Sequence, residues 1–216
     1  MIVERTEPLE WVLRAVSHGF ETPPDRLRQI RARWVPYFQH CQLVLDVGCG
    51  EGVLLELLRE ANIPAVGVEI DVERVAIAQA KGLHVEHALA QDYLVDKPDA
   101  FDGIFLGHLI EHLSGKEALD LLYHCCQALR PGGTLIILTP NFQHLDVAGC
   151  IFWLDITHQR PYPLPLLEHI FAVLGLEVRE KGLQDEMNQY IVGRLPPSSH
   201  FGIGEAVATP RERRRA

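Results

Sequence analysis

The chain has 216 residues, 47% hydrophobic and 23% charged, which suits one soluble globular core with a small appended element. Its 29 acidic residues outnumber 20 Lys and Arg, and the formal net charge of −9 disfavours a nucleic-acid partner. Charges occupy the MIVERTEPLEW start where an apolar leader would run, and no apolar stretch is long enough to span a bilayer, so a cytoplasmic protein without a membrane span is expected. The five cysteines are an odd number without a CxxC pair, so reduced thiols are expected.

In chain order, residues 24–38 read as a helix with Leu27, Ile30, Trp34 and Phe38 on one face, kinked or ended by Pro36. Residues 43–47 read as a buried strand and 52–61 as a helix stopped at Asn62. AVGVE (65–69) is a second strand, and 73–81 a helix stopped by Gly82. LHVEHA is a third, weaker strand and FDGIFLG (101–107) a fourth. Residues 115–129 read as a helix ended by RPGG, followed by a fifth strand, TLIILT (134–139). A helix at 164–174 precedes two late strands, LEVREK and NQYIVGRL, joined without a helix. Alternation of this kind predicts an α/β fold, a doubly wound, mostly parallel sheet with an antiparallel edge.

VLDVGCGEG (44–52) ends an apolar run in an acid and three glycines within five residues. In a doubly wound sheet, ligands bind at the carboxyl ends of the strands, beside the switch point. Gly48, Gly50 and Gly52 let the backbone turn tightly against a ligand. Glu69, ending the next strand, can accept both hydroxyls of a ribose, so a dinucleotide or another adenosine compound fits. The spacing is tighter than G-x-G-x-x-G, and Asp46 and Glu51 would repel a pyrophosphate. That argues against a nicotinamide dehydrogenase.

VLDVGCGEG, AVGVEID, AQDYL, FDGIFLGHLIEHL and LRPGGTLIILTPN in that order resemble the motifs of class I S-adenosylmethionine-dependent methyltransferases, over about residues 41–195. The resemblance implies a Rossmann-like seven-stranded sheet with its last strand antiparallel. It implies that Asp46 and the loop Gly48, Cys49, Gly50 and Gly52 hold the methionine part, that Glu69 accepts the ribose hydroxyls, and that Ile70 borders the adenine. Asp92 would accept from the adenine amino group, and backbone at Leu106 and Gly107 would lie beside the methionine amino group and sulfonium. On this reading residues 1–40 are an N-terminal helical lid, 41–195 the methyltransferase domain and 196–216 a mobile tail whose RERRR end is solvated.

His108-Leu-Ile-Glu111-His112 also matches the inverted zinc-protease pattern H-x-x-E-H. Its place directly after a strand of the methyltransferase pattern removes that reading. Some small-molecule and RNA 2′-O-methyltransferases hold a divalent metal with E-x-x-E-H and a later histidine, which would here mean His108, Glu111, His112 and His158. His108 stands where those families carry Glu, so no metal is expected.

FWLDITHQRPYP (152–163) is too polar and proline-rich for regular structure. It resembles the D-x-T-H-x-R-P segment of methyltransferases associated with polysaccharide and O-antigen synthesis, which also carry an Arg-rich first helix like DRLRQIRARW. Following the fifth strand, it should overhang the site. An alcohol acceptor gains from a base near neutral pKa, so His158, then His112, is expected to take the proton. Asp155, Arg160 and Tyr162 are expected to contact the acceptor, Arg160 by pairing with an anionic group. Arg26, Arg28, Arg31 and Arg33 spread around their helix and read as a solvated face. The resulting expectation is methyl transfer to a sugar, glycan or other small hydroxyl compound. An RNA 2′-hydroxyl, a quinone-type phenol, and a binding module without turnover are the alternatives.

Overall fold

The computed structural model describes residues 22–197, together with Val12 and Val16. The RERRR end and most of the segment 1–21 lie outside the described residues.

Seven strands form one sheet in the order β3-β2-β1-β4-β5-β7-β6. They are β1 (Val44–Val47), β2 (Ala65–Glu69), β3 (Val85–His87), β4 (Phe101–Gly107), β5 (Leu129–Pro140), β6 (Glu177–Leu183) and β7 (Asn188–Arg194). The first five pair in parallel, and β7 runs antiparallel to both β5 and β6. The expected fold is therefore present, with the antiparallel strand inserted beside β5. The order reverses between β1 and β4, so their carboxyl ends open a crevice.

Helices cover both faces: α1 (Pro24–Ala32), α2 (Val53–Glu60), α3 (Val72–Ala80), α4 (Ala90–Leu94), α5 (Gly115–Ala128), α6 (Phe152–Leu154) and α7 (Leu164–Val173). Period-two alternation along the strands splits the core. Leu45, Val47, Ile104, Leu106, Leu135 and Ile137 pack with Leu121, Leu122 and Phe171. Val44, Phe105, Ile136 and Leu138 face the other way, toward Ile30, Trp34 and Phe38. Trp34 and Phe38 are fully buried, so the described part of the 1–40 segment is packed into this second core.

Three expectations shift. Pro36 ends the regular helix as anticipated, but the chain continues as a 3-10 turn, Val35–Phe38. β5 starts at Leu129 and runs through RPGG, five residues before the expected strand. Leu129 leaves the helical region with ψ 133 and pairs with Phe101, while Gly132 and Leu195 tie the two strand ends by a 2.8 Å backbone bond. Lastly, FWLDITHQRPYP is partly regular: a π-helical turn, Val147–Ile151, leads into α6, and the irregular stretch begins at Asp155.

Candidate active site

The turn after β1 is built on left-handed backbone, with φ of 67 at Gly48, 55 at Gly50 and 84 at Gly52. Residues with a Cβ pay for such angles, so the glycine spacing is what permits the turn. Glu69 holds the loop from the next strand: Oε2 accepts from the Gly50 N–H, and Oε1 from the Ile70 and Asp71 N–H groups, each at 2.9 Å. Ile70 is 64% exposed at the rim, Cys49 is buried against Gly67, and Asp92 lies exposed in the first turn of α4.

Asp46 sits beneath the loop, 4% exposed. Burial pushes its carboxyl up to about 7, opposed by the charge of Arg31 and reinforced by that of Glu69. Arg31 was read as part of a solvated face, and here the structure differs. It reaches from α1 to the end of β4, where Nη2 donates to the Gly107 carbonyl at 2.9 Å and the guanidinium lies 5.1 Å from the centre of the Phe105 ring. Its Nη1 is buried without a hydrogen-bond partner among the described residues. Burial lowers its pKa, against the charges of Asp46 and Glu111. An enclosed guanidinium with donors to spare is suited to an anionic group beside Asp46 and Gly107. Helical position alone could not single out Arg31 from its neighbours, because its partners lie on β1 and β4.

The turn after β4 carries His108, Glu111 and His112. Glu111 is fully buried, and its two oxygens meet His108 Nδ1 at 3.2 Å and the Thr139 hydroxyl at 3.1 Å. Its backbone carbonyl accepts from Gln159 at 2.8 Å, which pins the segment after β5 to this turn. The Thr157 hydroxyl donates to Asp155 Oδ1 at 2.6 Å, so its oxygen is left to accept from His112 Nδ1 at 2.7 Å. Burial lowers the His112 pKa, against the charge of Glu111. His158 rests on His112, ring centres 4.6 Å apart, and its Nδ1 donates to the Phe152 carbonyl at 2.6 Å. That bond leaves Nε2 of His158 as the basic nitrogen.

Glu111, His112 and His158 each bring one metal-capable atom within 4.8 Å of the others. Their bonds to His108, Thr139, Thr157 and Phe152 make them a hydrogen-bonded scaffold, which we read as their role.

A cleft of about 260 Å³ opens beside this network. Ile30, Pro140, Val147, Ile151, Phe152 and Met187 supply apolar lining, and His108, His158, Arg26, Asp185 and Asn188 supply polar groups. Of the residues expected to contact an acceptor, the structure brings His158 to this cleft. His112 and Asp155 are not in its lining and meet it through His158. Arg160 and Tyr162 are elsewhere: the Tyr162 hydroxyl donates to the Leu113 and Ser114 carbonyls with the ring 2% exposed, and the Arg160 guanidinium lies over that ring. Tyr162 belongs to the core because the segment turns inward to start α7.

The methyltransferase-domain family matches residues 20–181, and the chain belongs to that family. It is similar to the mitochondrial ubiquinone biosynthesis O-methyltransferase of Rattus norvegicus, 32% identical over 120 residues, which are 50% of this chain and 34% of the relative. The ubiquinone biosynthesis O-methyltransferase of Xylella fastidiosa strain 9a5c is 32% identical over 134 residues, 57% of this chain and 53% of that one. The chain thus spans about a third to a half of the length of these curated relatives. In fold it resembles a SAM dependent methyltransferase from Archaeoglobus fulgidus, with TM-score 0.76, 24% identity, and coverage of 82% of this chain and 97% of that one. It also resembles magnesium protoporphyrin IX methyltransferase from Synechocystis PCC 6803, with TM-score 0.62, 16% identity, and coverage of 78% and 79%.

Proposed function

We propose that the chain is an S-adenosylmethionine-dependent O-methyltransferase acting on a small hydroxyl compound with an apolar, phenol-like body. The residues fit the cofactor: the left-handed glycine turn leaves room for close approach, and Arg31 Nη1 is a buried donor awaiting an acceptor. Gly48, Cys49, Gly50, Gly52, Asp46 and Arg31 would hold its amino-acid part, with Leu106 and Gly107 beside it. Glu69 would hold the ribose, with Ile70 and Asp92 at the adenine. Bound there, the cofactor supplies an electrophilic methyl carbon on a sulfonium. The protein's share is alignment and removal of the acceptor's proton.

The observation that carries the acceptor class is the cleft itself, whose mostly apolar lining includes His108 and His158. His158 takes the proton at Nε2, while Thr157 and Asp155 fix His112 behind it. The relatives' quinone-type chemistry supports the same class. The sugar or glycan acceptor is the second reading, favoured by Arg26, Asp185 and Asn188 in the lining of the cleft. Methyl transfer from radiolabelled cofactor to a panel containing catechol and methyl glucoside decides between them: the first reading expects label on catechol, the second on the glucoside.

A further inference from the structure

Two imidazoles line the cleft, and they have different partners. His158 gives its Nδ1 hydrogen to a neutral carbonyl, that of Phe152. His108 sets Nδ1 against the fully buried carboxylate of Glu111 at 3.2 Å. Burial pushes the Glu111 carboxyl up, but the hydrogen bond from His108 and the surrounding charges hold it below the ordinary value. A buried carboxylate needs a donating, preferably cationic, partner. His112 Nδ1 is taken by Thr157 and the Thr139 hydroxyl holds the other Glu111 oxygen, so His108 Nδ1 is the imidazole nitrogen set on this carboxylate.

The backbone is bent to place this side chain. His108 has φ 57, in the left-handed region, and is fixed there by its N–H bond to the Leu138 carbonyl at 2.8 Å. With Nδ1 turned to the buried Glu111 and the side chain 28% exposed, Nε2 is the edge left to the cleft. Among the described residues, Arg31 from α1, His112 from the same turn and Tyr162 from the segment after β5 also face Glu111, while Asp155 and His158 face His112.

Resting on the acceptor reading above, we propose that His108 is a second catalytic residue, whose Nε2–H donates to the acceptor oxygen as His158 removes the hydroxyl proton. The hydrogen passes from oxygen to Nε2 of His158, and the negative charge left on oxygen faces the His108 imidazolium, itself balanced by Glu111. One cleft thus holds two imidazoles with different settings: His158 has Nδ1 on the Phe152 carbonyl and Nε2 4.0 Å from Asp155, and His108 has Nδ1 on the buried Glu111 carboxylate. A donor aimed at a developing oxyanion contributes roughly 10²–10³-fold to turnover.

The test uses 4-nitrophenol, whose phenolate is coloured, bound to the protein with S-adenosylhomocysteine and titrated against pH. In the wild type the bound probe should ionise about one pH unit or more below the free probe, a tenfold shift. In His108→Asn, chosen because Asn tolerates positive φ, the midpoint should return to the free value. His108→Asn should also lower kcat by about 100-fold for the panel acceptor that the wild type methylates, with S-adenosylhomocysteine affinity within about twofold. Equal probe midpoints in the two proteins, or more than half of the wild-type kcat in His108→Asn, would overturn the proposal. A wild type that neither binds the probe nor methylates a panel member sinks the acceptor reading first, and this inference with it.

Discussion

Arg31 and Gly107 are a matched pair: the Arg31 guanidinium donates to the Gly107 carbonyl at 2.9 Å and fills the space a Cβ at position 107 would take. This contact joins α1 to the strand end beside Asp46. Gly107→Ala should displace the guanidinium, and Arg31→Gln should remove its charge. Either change is expected to weaken S-adenosylmethionine binding by about 1.5–3 kcal/mol, the scale of hydrogen bonds to a charged group. Calorimetric titration of the folded variants checks this, and unchanged affinity in both would remove Arg31 from the site.

Asp46 predicts a pH dependence. Its folded pKa is about 7, raised by burial from an ordinary value of 3.8. Between those values the folded chain holds a proton that the unfolded chain has lost, so this group's contribution falls as pH rises through that window, and then levels off. Asp46→Asn should flatten the decline, as seen in denaturant melts at several pH values. A cationic ligand group beside Asp46 favours the carboxylate, so S-adenosylmethionine affinity should rise as pH passes about 7, and the variant should lose that rise.

Tyr162 separates core from site. Tyr162→Phe takes the hydroxyl from the Leu113 carbonyl, while the Ser114 carbonyl keeps the Ala118 N–H at 2.9 Å. A cost of about 1 kcal/mol is expected, lowering Tm by roughly 2–4 °C. Turnover should stay within about twofold of the wild type. A large drop in turnover with Tm unchanged would return Tyr162 to the acceptor site.

His158→Ala should cut turnover by roughly 10²–10⁴ while leaving cofactor affinity nearly intact, as expected for a base. Chelator should leave wild-type turnover unchanged if Glu111, His112 and His158 act as a hydrogen-bonded scaffold. Activity lost to chelator and restored by Mg²⁺ or Zn²⁺ would reassign them as ligands.

The central strands were legible in the sequence because each reads as a short apolar run bounded by turn residues; AVGVE and FDGIFLG match β2 and β4 at both ends. The glycine turn and Glu69 were legible because their chemistry is local to two adjacent strand ends. Arg31 was not, since its value depends on Gly107, 76 residues away. Tyr162 misled because a hydroxyl within a polar, proline-rich stretch looks like a surface group until the fold turns it onto the Leu113 and Ser114 carbonyls just before α5. Residues 90–94 carried a recognisable motif, yet five residues give too little periodicity to announce a helix.

The most direct measurement is calorimetric titration of chelator-treated protein with S-adenosylmethionine and, separately, NADH, alongside Glu69→Ala. The account predicts micromolar binding of S-adenosylmethionine, none of NADH, and a loss of about 1–3 kcal/mol in the variant as charge-assisted bonds to the ribose disappear. No S-adenosylmethionine binding by a folded sample, with or without added metal, would contradict it and leave a methyltransferase fold that serves as a binding module.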